Sequence, residues 1–429
     1  MSASEHRSSE PLVGARERTA RAHTVRTGEP TARALRVLVV DHVAPVASVR
    51  RRWTRVAHMA NIDLTLLSPH AWPENSQWNV HASEPDEPYR TVVGRVTFPG
   101  REVRSIYLSG VARAMRESRP EVIVLMEEAF SSFAVQIEAL RRIYAPTARV
   151  AFYACWIMPY DRLWYRPAFF FRWLARTMHE RFDAAMCIND AATRALHAEG
   201  FTAARTNFFG VDESLFTRIP RDEARVALGL AADEFIVLYA GRLLELKGLD
   251  DLVDAFARLA LTRPERPMRL VLLGAGEHDV VLRARADTSG AGDRIELRGS
   301  VANEQIRTWM CAADAFVLPS RAAWCEQFGR VLAEAMLVET PVVGSSSGEI
   351  PAVIGDGGFI YPADDVDALF RTLERLLDEP DEVARRVGIG RERALHEYSV
   401  DAFVRRTVEL IEELAGRTLR HETEELIAT

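Results

Sequence analysis

The sequence predicts an α/β protein built from two open, parallel-stranded halves. Short apolar runs recur along the chain, each ending in a turn or a charged residue, and apolar stripes with helical spacing alternate with them. The 429 residues are enough for two sizeable cores, and 48% hydrophobic with 27% charged residues is an ordinary globular balance. The net charge of -7 argues against nucleic acid as a partner. The four cysteines (Cys155, Cys187, Cys311, Cys325) are scattered and form no metal-type pair, which fits reduced thiols in a cytoplasmic protein. No apolar run approaches the ~18 residues of a membrane span, and no signal-peptide pattern opens the chain.

Residues 1–32, rich in Ser, Arg, Glu and Thr, read as a disordered tail. The first half is expected over 33–215. Arg36–Asp41 reads as a buried strand, followed by the loop His42–Ser48 and a helix starting at Arg50–Arg52. Leu64–Leu67 is a second strand, and the polar, proline-bearing stretch 73–90 reads as a loop or edge segment. Val122–Met126 runs into Glu127-Glu128, and the strands Arg149–Cys155 and Ala184–Ile188 end at Trp156 and Asn189. Ligands of open α/β sheets bind beyond the carboxyl ends of the strands. His42, Glu127, Glu128, Trp156 and Asn189 therefore stand where a ligand is expected. A hydrogen-bonded loop histidine and a capped helix start would explain His42 and the glutamate pair as well.

The segment Trp164–Arg176 (WYRPAFFFRWLAR) suits either a helix lying on an anionic membrane surface or one packing its aromatics on the sheet. Gly210-Val211-Asp212 and Pro220 mark the link to the second half, expected over 216–398, and the amphipathic stretch from Asp401 to Leu414 lies in a final segment 399–429.

In that second half Phe235–Ala240 is a strand running into Gly241-Arg242, and a helix starts near Leu249. Arg242 and Lys247 thus share a strand-to-helix loop, a place for cations that grip phosphates. Lys247 is the single lysine in a chain with 54 lysines and arginines. A compact ammonium has been kept there and nowhere else. Leu270–Leu273 ends in Gly274-Ala275-Gly276, which a tight turn explains. Arg294–Leu297 leads to Gly299-Ser300, and a helix at Asp365–Leu377 closes the half. Between them Ala315–Leu318 and Pro341–Gly344 read as buried strands joined by a helix starting near Gln327. Its apolar stripe is Phe328, Val331, Leu332, Ala335 and Met336, which leaves Glu326 and Glu334 on the polar side, about 12 Å apart along the axis. The N–H groups of Gln327, Phe328 and Gly329 would face a phosphate at its start. Two glutamates on a helix also describe a plain solvated face.

Four stretches together resemble the donor domain of glycosyltransferase family 4, retaining enzymes of the GT-B fold. They are GVDESLF at 210–216, AGRLLELKGLDDLVDAF at 240–256, LLGAGE at 272–277, and EQFGRVLAEAM with PVVGSSSGEIP within 326–351, about a third of the chain. The resemblance implies two Rossmann-like domains with parallel sheets facing a central cleft, an acceptor domain first and a nucleotide-sugar donor domain second. The final helix would cross back to the first. By that resemblance Glu334 binds the ribose hydroxyls and Glu326 the transferred sugar, with the amides of Gln327, Phe328 and Gly329 around sugar and phosphate. Arg242 and Lys247 neutralise the diphosphate next to Gly241, and Ser300 and Val301 hold the base. The implied reaction moves a hexose from a nucleoside-diphosphate sugar to an acceptor such as a lipid-linked or polysaccharide intermediate, with no metal or other cofactor. A peripheral contact with the inner face of the membrane is expected through 164–176. An inactive GT-B partner subunit and a nucleotide-sugar epimerase are the alternatives. The loop His42–Ser48 lacks the glycines many members carry there, and FYACWIMPY lacks a histidine often found after a middle strand. Glu339 stands where a glycine usually ends the helix, and a left-handed residue there costs about 1–2 kcal/mol.

Overall fold

The computed structural model describes residues 33–59, 61–74, 77–158 and 165–417. The predicted tail 1–32, Trp164 and residues 418–429 lie outside them. The first half carries β1 (Leu35–Val40), β2 (Ile62–Pro69), β3 (Ala71–Glu74), β4 (Gln77–Val80), β5 (Arg90–Gly94), β6 (Val122–Leu125), β7 (Arg149–Ala154), β8 (Ala184–Cys187) and β9 (Ala204–Thr206). Seven of these form a parallel sheet in the order β5-β2-β1-β6-β7-β8-β9, and β3 and β4 make a separate antiparallel pair. The second half carries β10 (Phe235–Ala240), β11 (Met268–Leu273), β12 (Ile295–Gly299), β13 (Ala315–Leu318), β14 (Val342–Ser345) and β15 (Phe359–Tyr361). They form a second parallel sheet in the order β12-β11-β10-β13-β14-β15. Strands buried on both faces carry unbroken apolar runs, as β6, β10 and β13 do.

Helices α1 (Ala47–His58), α2 (Val111–Ser118), α3 (Ser132–Tyr144), α4 (Ala168–His179) and α5 (Asp190–Ala198) cover the first sheet. In the second half α6 (Arg221–Leu228), α7 (Leu249–Thr262), α8 (Asp279–Thr288), α9 (Asn303–Ala312), α10 (Arg330–Leu337), α11 (Ile350–Ile354), α12 (Val366–Asp378) and α13 (Pro380–Arg393) do the same. The stretch 73–90, expected as a loop or edge segment, contributes to the β3–β4 pair and reaches the edge strand β5 at Arg90. Gly274 and Gly276, expected to form a tight turn, serve instead a close approach of two loops. A Cβ on either would meet the backbone oxygen of Gly241 or Leu243 at 1.8 and 2.1 Å, so these two loops can touch only through glycine.

The last helix, α14 (Val400–Ala415), packs on α1, β6 and β7 of the first half. Its Phe403 meets Trp53 edge-on at 5.8 Å, and Val404, Val408 and Ile411 are buried with it. Asn207 ties the helix down by donating to Thr407 Oγ1 at 3.0 Å. The two chain crossings between the halves also pair with each other. Val211 N–H donates to Tyr398 O at 2.7 Å, and Val400 N–H donates to Val211 O at 3.0 Å. Glu339 is left-handed, with φ 62°, and its carboxylate bridges Arg218 and Arg391 at 3.0 Å each.

Candidate functional site

The loop leaving β10 closes in a short turn at Glu245–Lys247, and the carbonyl of Leu246 accepts from Arg321 N–H in the loop leaving β13. That contact brings the two loops side by side. Lys247 is buried, and its Nζ meets Glu326 Oε2 at 2.5 Å. The same carboxylate oxygen accepts from Ser320 Oγ at 3.0 Å. Both cations of the loop lie over one indole, Lys247 at 4.8 Å and Arg242 at 5.7 Å from the Trp324 ring centre. Lys247 and Glu326 are therefore joined directly, and Arg242 joins them through a residue sequence reasoning missed. Trp324 was visible only as a neighbour of Cys325-Glu326.

Glu326 is held by its surroundings. Gly348 has φ 53°, and a Cβ there would stand 2.2 Å from the carbonyl oxygen of Glu326, so only glycine permits this approach. Glu349 N–H donates to that same oxygen at 2.8 Å. Cys325, left-handed with φ 54°, turns the chain immediately before it.

The expected helix start needs correction. The helix begins at Arg330, with Gly329 left-handed at its cap (φ 61°), so Glu326, Gln327 and Phe328 lie in the preceding loop. The axial spacing expected between the two glutamates therefore does not apply. The loop is pulled out of helical geometry by contacts to the other half. Asn189 Nδ2 donates to Gln327 O at 2.5 Å, Gln327 Nε2 donates to Cys155 O at 3.1 Å, and Phe328 packs on Phe208 and Tyr398 at 5.4 Å. None of the N–H groups of Gln327, Phe328 and Gly329 donates to an acceptor among the described residues.

Glu334 had a solvated helix face as the plain alternative to its ribose-binding role. It is buried, lines the cleft and meets Arg330 Nε at 3.0 Å. Beyond its own sheet α10 packs on α13 and on the segment Ala394–Tyr398, and Glu334 sits where the helix borders the cleft. Burial pushes the Glu334 carboxyl upward against the pull of Arg330. Ser300 and Val301 follow the edge strand β12, two strands away from the loop of Lys247, with Ser300 exposed and Val301 half-buried. Gly241 is exposed at the start of the Arg242 loop.

Between the halves lies a cavity of about 570 Å³. Gln327, Arg330 and Glu334 reach it from the second half, and His42, Glu127, Glu128 and Trp156 from the first. His42 Nδ1 meets Glu127 Oε1 at 2.7 Å. Burial disfavours the charged ring, but the Glu127 carboxylate more than offsets it and the imidazole rises well above its usual range. Burial pushes Glu128 up to about 7, although Cys155 and Trp156 N–H donate to its Oε1 at 2.6 and 2.8 Å. Beneath the loop Asp41 is fully buried, accepting from Arg52, Trp53 and Val43.

This arrangement of two parallel sheets around a cleft matches solved structures over nearly the whole chain. Sucrose-phosphate synthase from Thermosynechococcus elongatus superposes with TM-score 0.65 at 19% identity, covering 89% of this chain and 99% of that one. Anabaena HepE in complex with UDP and glucose gives 0.62 at 19% identity, covering 88% and 99%. A glycosyltransferase from Rickettsia africae gives 0.68 at 12% identity, covering 90% and 100%. The fold is GT-B.

Residues 220–393 of this GT-B chain match the family model "Glycosyl transferases group 1". Among curated proteins, the D-inositol 3-phosphate glycosyltransferase of Arthrobacter sp. (strain FB24) is 35% identical over 191 residues, 44% of each chain. D-inositol 3-phosphate glycosyltransferase 1 of Catenulispora acidiphila is 31% identical over 245 residues, 55% of this chain and 53% of that protein. The chain thus spans about half the length of the curated relatives it matches. Sequence reasoning also missed four side chains in or beside the GT-B cleft: Ser320, Arg330, Glu74 and Glu102. The last two come from segments with no apolar pattern to announce them.

Proposed function

We propose that this GT-B protein is a retaining glycosyltransferase of family 4, moving a hexose from a nucleoside-diphosphate sugar to an acceptor hydroxyl. The carrying observation is a lysine buried against Glu326, whose carboxylate Ser320 also holds, with Arg242 beside the lysine on Trp324. Such a preorganised pair of cations stabilises charge developing on a diphosphate leaving group, so the reaction needs no metal ion. In this reading Glu326 orients the sugar hydroxyls, with the amides of Gln327, Phe328 and Gly329 around sugar and phosphate. Glu334 holds the ribose, and Ser300 and Val301 flank the base. The acceptor oxygen attacks the anomeric carbon on the face the diphosphate leaves. The C–O bond to the diphosphate breaks, and the acceptor proton passes to the departing phosphate oxygen. No enzyme nucleophile takes part. The first half supplies the acceptor side, where His42, Glu127 and Glu128 line the cleft.

A panel of nucleotide sugars, UDP-glucose among them, tests this. The matching donor stabilises the protein by about 2.7 kcal/mol at a hundred times its Kd. Glu334→Gln weakens that donor roughly tenfold to a hundredfold, the loss of one charge-assisted hydrogen bond. Transfer persists in EDTA. A donor that binds but is neither hydrolysed nor transferred points to an inactive partner subunit, and an isomerised donor without acceptor points to an epimerase.

Helix α4 supports a peripheral membrane contact at the cytoplasmic face. It splits its large apolar side chains, burying Phe171, Leu174 and Met178 while exposing Phe169 (69%), Phe170 (43%) and Trp173 (59%). Arg166 and Arg176 are exposed nearby. No helix among the described residues is long and apolar enough to cross a membrane. Vesicles containing anionic lipid are expected to bind the protein at low salt and release it as salt rises. Changing Phe169 and Trp173 together to serine abolishes that binding, and binding that survives the double change excludes α4 as the contact.

A further inference from the structure

The first-half side of the cleft holds more negative charge than the proposed transfer uses. Glu74, Glu102, Glu127 and Glu128 all line the cavity. His42 is the cation set among them, 2.7 Å from Glu127 and 3.9 Å from Glu102, and its charge also acts on Glu74. Among the described residues the other cations lining the cavity have carboxylate partners of their own, Arg52 meeting Asp41 at 2.7 Å and Arg330 meeting Glu334 at 3.0 Å, although the charge of Arg330 also acts on Glu74. No cation stands against Glu128 among the described residues. Its Oε1 accepts two backbone N–H groups, whereas its Oε2 is shielded from solvent and accepts nothing among the described residues. Buried carboxylate oxygens rarely lack a donor, and one left so invites a ligand that supplies it.

We propose that the acceptor is a polyhydroxylated molecule carrying a protonated amine, with the amine held by Glu128 and its hydroxyls by the neighbouring carboxylates. A phosphorylated acceptor is disfavoured here, because among the described residues its charge would face four acidic side chains, with His42, Arg52 and Arg330 each already beside a carboxylate. The chain then differs in acceptor from relatives named for D-inositol 3-phosphate. Calling this occupant an acceptor rests on the transferase reading. The charge argument itself rests only on the cavity.

Calorimetry on the full chain with three ring-matched probes tests it: myo-inositol, the amine scyllo-inosamine, and myo-inositol 3-phosphate. The amine is expected to bind about tenfold or more tightly than myo-inositol, as one charge-assisted hydrogen bond implies, with the phosphate ester weakest. Glu128→Gln removes the amine preference while binding of the nucleotide donor stays as in the parent. Equal or tighter binding of the phosphate ester overturns the proposal. So does an amine preference that is absent in the parent or intact in Glu128→Gln. If Glu128→Gln does not fold, Glu74→Gln carries the same comparison, with a partial loss of preference expected. Amine binding without any nucleotide-sugar binding defeats the transferase reading and leaves this one standing. Nucleotide-sugar binding without amine preference does the reverse.

Discussion

Replacing Lys247 with alanine lowers kcat/KM for sugar transfer by about 100- to 1000-fold, the loss typical of one preorganised donor to a developing negative charge. The protein stays folded. The loop around Lys247 is fixed by backbone contacts from Leu246 to Arg321, and Glu326 keeps its hydrogen bond from Ser320. Leaving Glu326 short of its ammonium costs about 1–3 kcal/mol, well below the whole stability of a chain this size. Lys247→Arg separates charge from shape. A guanidinium is wider than an ammonium, and Lys247 sits in a buried slot between Glu326 and the face of Trp324. Arginine is therefore expected to recover little. Single-turnover rates measured beside circular dichroism decide the matter, and a folded Lys247→Ala protein with unchanged kcat/KM removes Lys247 from the mechanism.

Asp41→Ala is expected to destabilise the first half by about 3–5 kcal/mol, because it strands a buried arginine. Arg52 lies among the rings of Trp53, Phe209 and Phe403, all within 5.1–5.4 Å, and loses its carboxylate partner at 2.7 Å. Trp53 Nε1 loses its acceptor at 2.8 Å. Burial works to raise the Asp41 carboxyl, but Arg52 and His42 outweigh it and hold the group below its ordinary value. A carboxyl depressed in the folded state adds stability that is complete above its unfolded value of about 3.9 and lost as pH falls through its folded value. Urea titrations at pH 7 and at pH 3 measure both effects. The variant should differ strongly from the parent at pH 7 and less at pH 3. A gap of equal size at both pH values would show that packing, not charge, sets the loss.

What could be read in the chain depended on how each residue is covered. Strands such as Phe235–Ala240 are buried on both faces, so an apolar run marks them at once. Strands β5 and β9 escaped because edge strands carry little apolar signal: RTVVG is partly exposed, and ART is three half-buried residues. Lys247 was legible through composition alone. The environment of Glu334 was not, because helical periodicity assumes one buried face, whereas α10 is covered by its own sheet and again by the neighbouring helices α9, α11 and α13. Gly329 could have warned that the helix starts late, since a left-handed cap favours glycine. Of the acidic cluster only Glu127 and Glu128, at a strand end, had a sequence signal. Glu74, Glu102 and Glu127-Glu128 arrive from separate segments, and folding alone brings them to one cavity.

The last helix has a consequence for how the protein is made. The first sheet, ending with β9 at Thr206, leaves the ribosome early, but the surface around Trp53 is closed by Phe403 and its neighbours in α14. At roughly 5–20 residues per second, on the order of ten to forty seconds pass before that helix is synthesised. The second sheet is complete by Tyr361 and needs nothing made afterwards to finish its strands. The half made first is therefore finished last, and it waits with an apolar face open to chaperones until the carboxyl-terminal helix arrives.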